Sequence, residues 1–172
     1  WLWAASMYRR GELIQDAEEA LVEAEKVGIS SADIKVERGL LLKATQQYRA
    51  ALAEFESALE IGKANPRAVV GLAQLIYEQS EEFLKEGQET SSSASTLLFL
   101  NEHDRLSAVT RAQGLLEMLI SSGQGFNCSE GWYLMSLFQE QEGDMTGATE
   151  ALWKCIKLEE TRSVRSFSVL EF

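Results

Sequence analysis

The sequence predicts an all-α chain of stacked helical hairpins, and three observations carry that prediction. Ala51, Phe55 and Ala58, within residues 49–60, are spaced by four and three, which puts all three on one face of a helix. The same small–large–small face stands 34 residues earlier as Ala17, Leu21 and Ala24, and again near the end as Ala148, Leu152 and Cys155. First helices keep step with second ones: Ala5, Gly39 and Ser136 each precede the small residue of the following helix (Ala17, Ala51, Ala148) by twelve. A 34-residue period of helical hairpins is the tetratricopeptide signature, in which no hairpin buries its apolar face without a neighbour. The expected architecture is a tetratricopeptide-repeat right-handed superhelix of about four helical hairpins, with an insertion in the third and a C-terminal capping tail.

In the first unit, residues 1–31, Trp1, Ala5 and Tyr8 occupy the large, small and large positions of the first helix, and Gly11 with Glu12 makes the turn. The second helix, from about Gln15 to Lys26, ends at Gly28, a suitable C-cap. The second unit, 32–65, is preceded by the candidate N-caps Ser30 and Ser31, and Lys35 takes the place of the Trp. Asn65-Pro66 closes it and presets the next first turn. In the third unit, 66–128, Val69, Leu72, Ala73 and Ile76 hold the register, but Ala112 follows Ala73 by 39 residues, 27 more than the usual twelve. The excess defines an insertion at 82–107, containing an acidic stretch and a serine run that reads as a mobile loop. Its apolar cluster of Leu97, Leu98, Phe99 and Leu100 needs cover, so it is expected to lengthen the second helix or fold back onto the array. The fourth unit, 129–162, matches the motif through Trp132, Met135, Ser136, Gly143, Ala148, Leu152 and Cys155. The tail, 163–172, carries Phe167, Val169, Leu170 and Phe172, which are expected to cover the last hairpin. Residues 1–172 thus read as a single repeat domain.

Bulk properties narrow the function classes. One proline and 45% hydrophobic residues favour a folded helical chain. Sixteen basic against 27 acidic residues give a net charge of −11, which argues against nucleic acid or an anionic bilayer as a direct partner. No apolar run approaches the roughly 20 residues of a membrane span, so direct membrane insertion is not expected. With Trp1 already in a helical pattern and no starting Met, the sequence reads as part of a longer protein. Cys128 and Cys155 make no disulfide framework and fit reduced thiols in the cytoplasm.

Residues with chemical potential do not assemble into a catalytic pattern. His103 sits between Glu102 and Asp104 in the insertion and reads as solvated surface. Cys128 has no histidine beside it in sequence. Gly123-Gln124-Gly125 lacks the lysine and hydroxyl residue of a phosphate loop and reads as a hairpin connection. The glutamates at 18, 19, 23 and 25 form a solvated helix face. No enzyme activity, cofactor or metal is expected. The place to look is the groove lined by the first helix of each hairpin. The register puts Leu2, Val36, Leu40, Lys43, Val70, Gln74, Tyr77, Tyr133 and Leu137 there as a candidate partner-binding surface, suited to an amphipathic helix. Ser6, Arg9 and Glu140 fall on the same face. Repeat arrays that clamp acidic chaperone tails use lysines and asparagines at these positions; Leu2, Ser6, Val36, Glu37 and Gly71 stand there instead.

Residues 131–172, GWYLMSLFQEQEGDMTGATEALWKCIKLEETRSVRSFSVLEF, resemble the extreme C-terminus of the tetratricopeptide repeat protein 7 family, whose fungal members are the Ypp-type cargo-transport proteins. The resemblance lies in the Trp-bearing helix, in Ile156, Leu158, Glu159 and Glu160, and in the apolar Phe167, Ser168, Val169 and Leu170. Val36-Glu37-Arg38-Gly39 followed by Tyr48 and RAALAEFESALEI is similar to the preceding repeats. Arg165 and Glu171 stand where many relatives carry proline. The resemblance implies a scaffold without activity of its own. It would bridge a type III phosphatidylinositol 4-kinase to an Efr-type membrane scaffold, in the cytoplasm and peripherally at the plasma membrane through those partners. Calmodulin binding, described for plant relatives, is not carried over, because no basic amphipathic helix is present. Two alternatives stand beside the kinase adaptor: a purely structural C-terminal stack whose groove is filled by its own insertion, and a generic peptide-binding adaptor in another complex.

Overall fold

A computed structural model of the chain describes residues 1–28, 31–62, 65–86, 98–121 and 127–161. Within them run α1 (Leu2–Arg10), α2 (Ile14–Lys26), α3 (Ser31–Ala44), α4 (Tyr48–Ile61), α5 (Pro66–Glu86), α6 (Glu102–Ser121), α7 (Ser129–Gln141) and α8 (Met145–Thr161), and no strand occurs among the described residues. The chain is all-α. Each odd-numbered helix packs most extensively on the even-numbered helix that follows it, and α1, α3, α5 and α7 also pack on one another in succession. Even-numbered helices nowhere approach each other closely in backbone among the described residues, although α4 and α6 are linked by the Glu56–Arg111 ion pair. The odd-numbered helices therefore form the tighter layer.

Three connections share one geometry. The N–H groups of Leu13, Gln47 and Asp144 donate to the carbonyls of Tyr8, Leu42 and Gln139, five residues back, at 2.8–2.9 Å. The N–H groups of Glu12, Gln46 and Gly143 donate three residues back at 2.9–3.0 Å. These paired bonds make a Schellman motif, which needs one left-handed residue. Glu12 and Gln46 supply it at φ 60°, and Gly143 at φ 84°. The first two lie 34 residues apart, so the sequence period is also a period of turn geometry. Gly28 follows α2 at φ +78°, as its place after the helix predicts. At the start of α5 the Asn65 side-chain oxygen accepts from the N–H groups of Arg67 (3.0 Å) and Ala68 (3.2 Å), and Pro66 fills a position whose N–H has no helical partner.

Packing centres on Phe55, which is fully buried. Its ring lies against two helical glycines: a Cβ added at Gly39 would stand 2.8 Å from the ring, and one at Gly71 2.7 Å. One glycine on each helix, Gly39 at the register position of α3 and Gly71 two residues before that of α5, thus lets α3 and α5 close on the single knob of α4. Ala17, Leu21, Ala24, Ala51 and Ala58 are buried as the repeated face requires. The third copy of that face differs, because Leu152 is 41% exposed and α8 buries Ala151 alone among its described residues. No described helix follows α8 to cover its outer side. The tail expected to do so lies outside the described residues, as do the serine run, Leu97, Ser30 and Gly123-Gln124-Gly125.

Helix α3 is buried on two sides. Ile34 and Leu41 join the cluster formed with α1 and α2, and Val36 and Leu40 join the larger core that continues through α8. Between the clusters lies a chain of charges. Glu37, 2% exposed, pairs with Arg9 at 3.7 Å and with Arg67, and Arg67 reaches Asp33 at 3.7 Å. Burial lowers the Arg9 pKa, opposed by the attraction of Glu37. The network ties α1, α3 and α5 together from the odd-helix side.

The predicted insertion is helical at both described ends. Helix α5 runs through the first five residues of it, 82–86, and α6 begins at Glu102, capped by Asn101 Oδ1 accepting from the Asp104 N–H at 2.9 Å. Of the apolar cluster, Phe99 folds back, buried and edge-on to Phe83 at 6.5 Å, while Leu100 is exposed. The cluster therefore folds back through Phe99 and does not lengthen α6, which begins after it. Helix α5 extends far enough to build a buried polar layer: Arg105 donates to Ser80 Oγ (2.8 Å), and Gln141 Nε2 donates to Glu81 (3.0 Å).

Candidate functional site

The odd-helix layer brings the predicted groove residues onto neighbouring helices but divides them into two sets. Val36, Leu40, Val70 and Gln74 are buried at 6% exposure or less, wedged between successive helices where the tighter layer leaves no gap. Leu2, Lys43, Tyr77, Tyr133 and Leu137 are half-buried and present part of their surface. Substituting charge at Leu40 would therefore attack the core, and the accessible candidates are concentrated on α3, α5 and α7. Ser6 and Arg9 are buried as well.

The accessible set is held by specific contacts. The Lys43 ammonium at the end of α3 reaches Glu78 on α5 at 2.9 Å. The Tyr77 ring stands edge-on to Phe138 of α7, with centroids 5.5 Å apart. Burial raises the Tyr77 pKa, helped by the carboxylates of Glu81 and Glu140 and by Tyr133. Burial, then Glu82 and Glu78, raise that of Tyr48 at the start of α4. Between these groups, Tyr77, Glu78, Glu81, Glu82 and Lys85 line an open hollow of about 450 Å³. Sequence reasoning stopped the face at Tyr77 because the repeat register breaks after it. Glu78 and Glu81, four residues after Gln74 and Tyr77, continue the same stripe, and that spacing was the signal available.

The other chemical candidates stay apart from this face. His103 is exposed in the first turn of α6, a helical position where a loop was expected. The Cys128 thiol is buried at the N-terminus of α7, 3.7 Å from the Glu130 carboxylate. Among the described residues no group of three His, Cys, Asp or Glu side chains is placed to hold a metal ion, and no helix is long and apolar enough to cross a membrane.

Residues 55–172, more than half of the chain, match the YPP1 C-terminal domain. The chain belongs to that family. It is 30% identical over 183 residues to the cargo-transport protein YPP1 of Eremothecium gossypii, with all of the chain covered. It is 30% identical to the protein of that name from Kluyveromyces lactis, again over the whole chain, and 32% identical to that from Saccharomyces cerevisiae over 96% of it. The chain spans 24%, 25% and 22% of the length of these three relatives. The family match takes in α5 to α8, and with them Tyr77, Tyr133, Leu137 and the hollow.

Proposed function

We propose that the chain is a non-catalytic protein–protein interaction scaffold in cargo transport, built as one tetratricopeptide-repeat domain with units at 1–31, 32–65, 66–128 and 129–162. It helps recruit a type III phosphatidylinositol 4-kinase to the plasma membrane through an Efr-type membrane scaffold. The family match carries this reading, since the relatives are named cargo-transport proteins. The contiguous odd-helix layer supports it, as does the repeated turn at Glu12 and Gln46. An acidic chain without a described membrane-crossing helix would reach an anionic leaflet through protein partners.

The test is a pull-down of the chain against the cytosolic tail of an Efr-type scaffold and, separately, the helical region of the kinase. Binding to either, lost on Tyr133→Asp with Leu137→Asp while helicity by circular dichroism is kept, is the expected result. Binding to neither overturns this role for these residues. The burial of Val36, Leu40, Val70 and Gln74 favours a second reading, a structural stack whose partner contacts lie elsewhere in the longer protein. Under it, binding survives the double substitution.

A further inference from the structure

We propose that residues 162–172 of the same chain lie along the uncovered face of α8, in the place that the next unit's first helix takes on α2, α4 and α6. This goes beyond the scaffold reading and does not rest on it. The face is defined by its earlier copies. The small–large–small trios of α2 and α4 have a counterpart on α6 in Ala112, Leu116 and Leu119, again spaced by four and three. Every member of these three trios is at most 4% exposed, because α3, α5 and α7 pack against α2, α4 and α6. The α8 trio has no such neighbour among the described residues. Leu152 is 41% exposed, where Leu21, Phe55 and Leu116 are buried, and Ala148 and Cys155 are only half-buried. Met145, seven residues before Leu152, and Ile156, four after it, continue the same stripe and are exposed, with Trp153 beside them at 60%.

Position, reach and chemistry select the occupant. Residue 162 follows α8 directly, so the segment meets this face at an effective concentration that is roughly millimolar. Its eleven residues, 162–172, can span about 36 Å when extended, and α8 measures about 25 Å, so they reach any part of the stripe. Phe167, Val169, Leu170 and Phe172 supply large apolar side chains, which gain by leaving water together with Leu152 and Ile156. Segment 87–97 is a poorer candidate. Leu97 is its one large apolar residue, and its flanks are held on α5, where Phe99 meets Phe83 and the Leu98 N–H donates to Gln79. A second copy of the chain is disfavoured by charge, since each carries −11.

The experiment uses the whole chain with Cys128→Ala and Cys155→Ala, so that introduced cysteines are its only thiols. Leu170→Cys is combined either with Ile156→Cys, on the stripe, or with Lys157→Cys, an exposed neighbour about 100° around the helix. A disulfide needs the two Cα atoms within about 7 Å, so a docked segment joins one position and not the other. Under mild oxidation at low protein concentration, the pair with Ile156→Cys is expected to close about tenfold faster within one chain. Equal rates for the two pairs overturn the proposal, and so does a disulfide that forms mainly between chains, which would assign the face to a second copy. A second measurement keeps the native cysteines. Phe167→Ser with Leu170→Ser is expected to lower the melting temperature by about 5 °C. An unchanged melting temperature overturns the proposal and leaves the face for a separate partner.

Discussion

Alanine at Gly71 should change sign in its effect on stability according to what stands at position 55. In the native chain a Cβ at Gly71 would lie 2.7 Å from Cε1 of the fully buried Phe55 ring, which is held from the other side by Gly39. The ring has nowhere to retreat. Overpacking of this kind costs about 1–3 kcal/mol, and the gain in helix propensity from replacing an interior Gly by Ala returns about 1 kcal/mol. Gly71→Ala is therefore expected to be neutral to destabilising by about 2 kcal/mol. Phe55→Ala leaves a cavity and should cost about 3–5 kcal/mol, a large share of the roughly 5–15 kcal/mol that keeps a domain folded. In that background the added methyl meets no ring, only the propensity gain remains, and Gly71→Ala should stabilise by about 1 kcal/mol. Urea unfolding of the four proteins in the cycle, read by circular dichroism with the slope checked for constancy, gives the coupling. A coupling of about 1–3 kcal/mol is expected; additivity within about 0.5 kcal/mol would refute the claim that glycine is present to admit the ring.

Other substitutions probe separate parts of the array. Glu37→Gln should destabilise by about 3–5 kcal/mol in thermal or urea unfolding, because it leaves the buried Arg9 and the Arg67 guanidinium without their shared counter-charge. Gln46→Gly, at a left-handed position exposed to solvent, should raise stability by about 0.5–1 kcal/mol, and Glu12→Gly should do the same at the equivalent turn. A fall in the urea midpoint for either would mean that the turn is not held as described. Asn65→Ala should cost about 1 kcal/mol through loss of the two bonds that cap α5.

The all-α character and most of the helix pairs were legible because the apolar spacing is strong and local. Phe55 between two small residues, Gly28 as a stop and Asn65-Pro66 as a start each encode their own conformation. Of the two equivalent turns only Gly11-Glu12 was named from the sequence and Gln46 was not, since neither Glu12 nor Gln46 advertises a left-handed backbone as glycine does. Less was legible of the face that partners would use. Helical spacing tells which residues share a side but not how near the next helix comes. In this chain the odd-numbered helices close on each other far enough to bury Val36, Leu40, Val70 and Gln74. The Glu37 network was missed for the same reason: its arginines lie 28 residues before and 30 after it, at no spacing that a single helix reveals.

This closeness bears on where a partner could act. Toward α1 and α3 the odd-helix side is occupied by the Arg9–Glu37–Arg67 network and by buried aliphatic side chains, so a ligand there would have to displace paired charges from a dry interface, at a cost of several kcal/mol. Beyond Tyr77 the balance reverses. Helix α5 runs on to Glu86, the Lys43–Glu78 pair is partly solvated, and the hollow is open to solvent. Replacing water there asks little of the fold. A partner that uses the odd-helix face should therefore be sensitive to substitutions at Tyr77, Glu82, Tyr133 and Leu137. It should be indifferent to Ser6→Ala near the other end, and binding assays on variants whose melting temperature is unchanged would separate the two ends of the array.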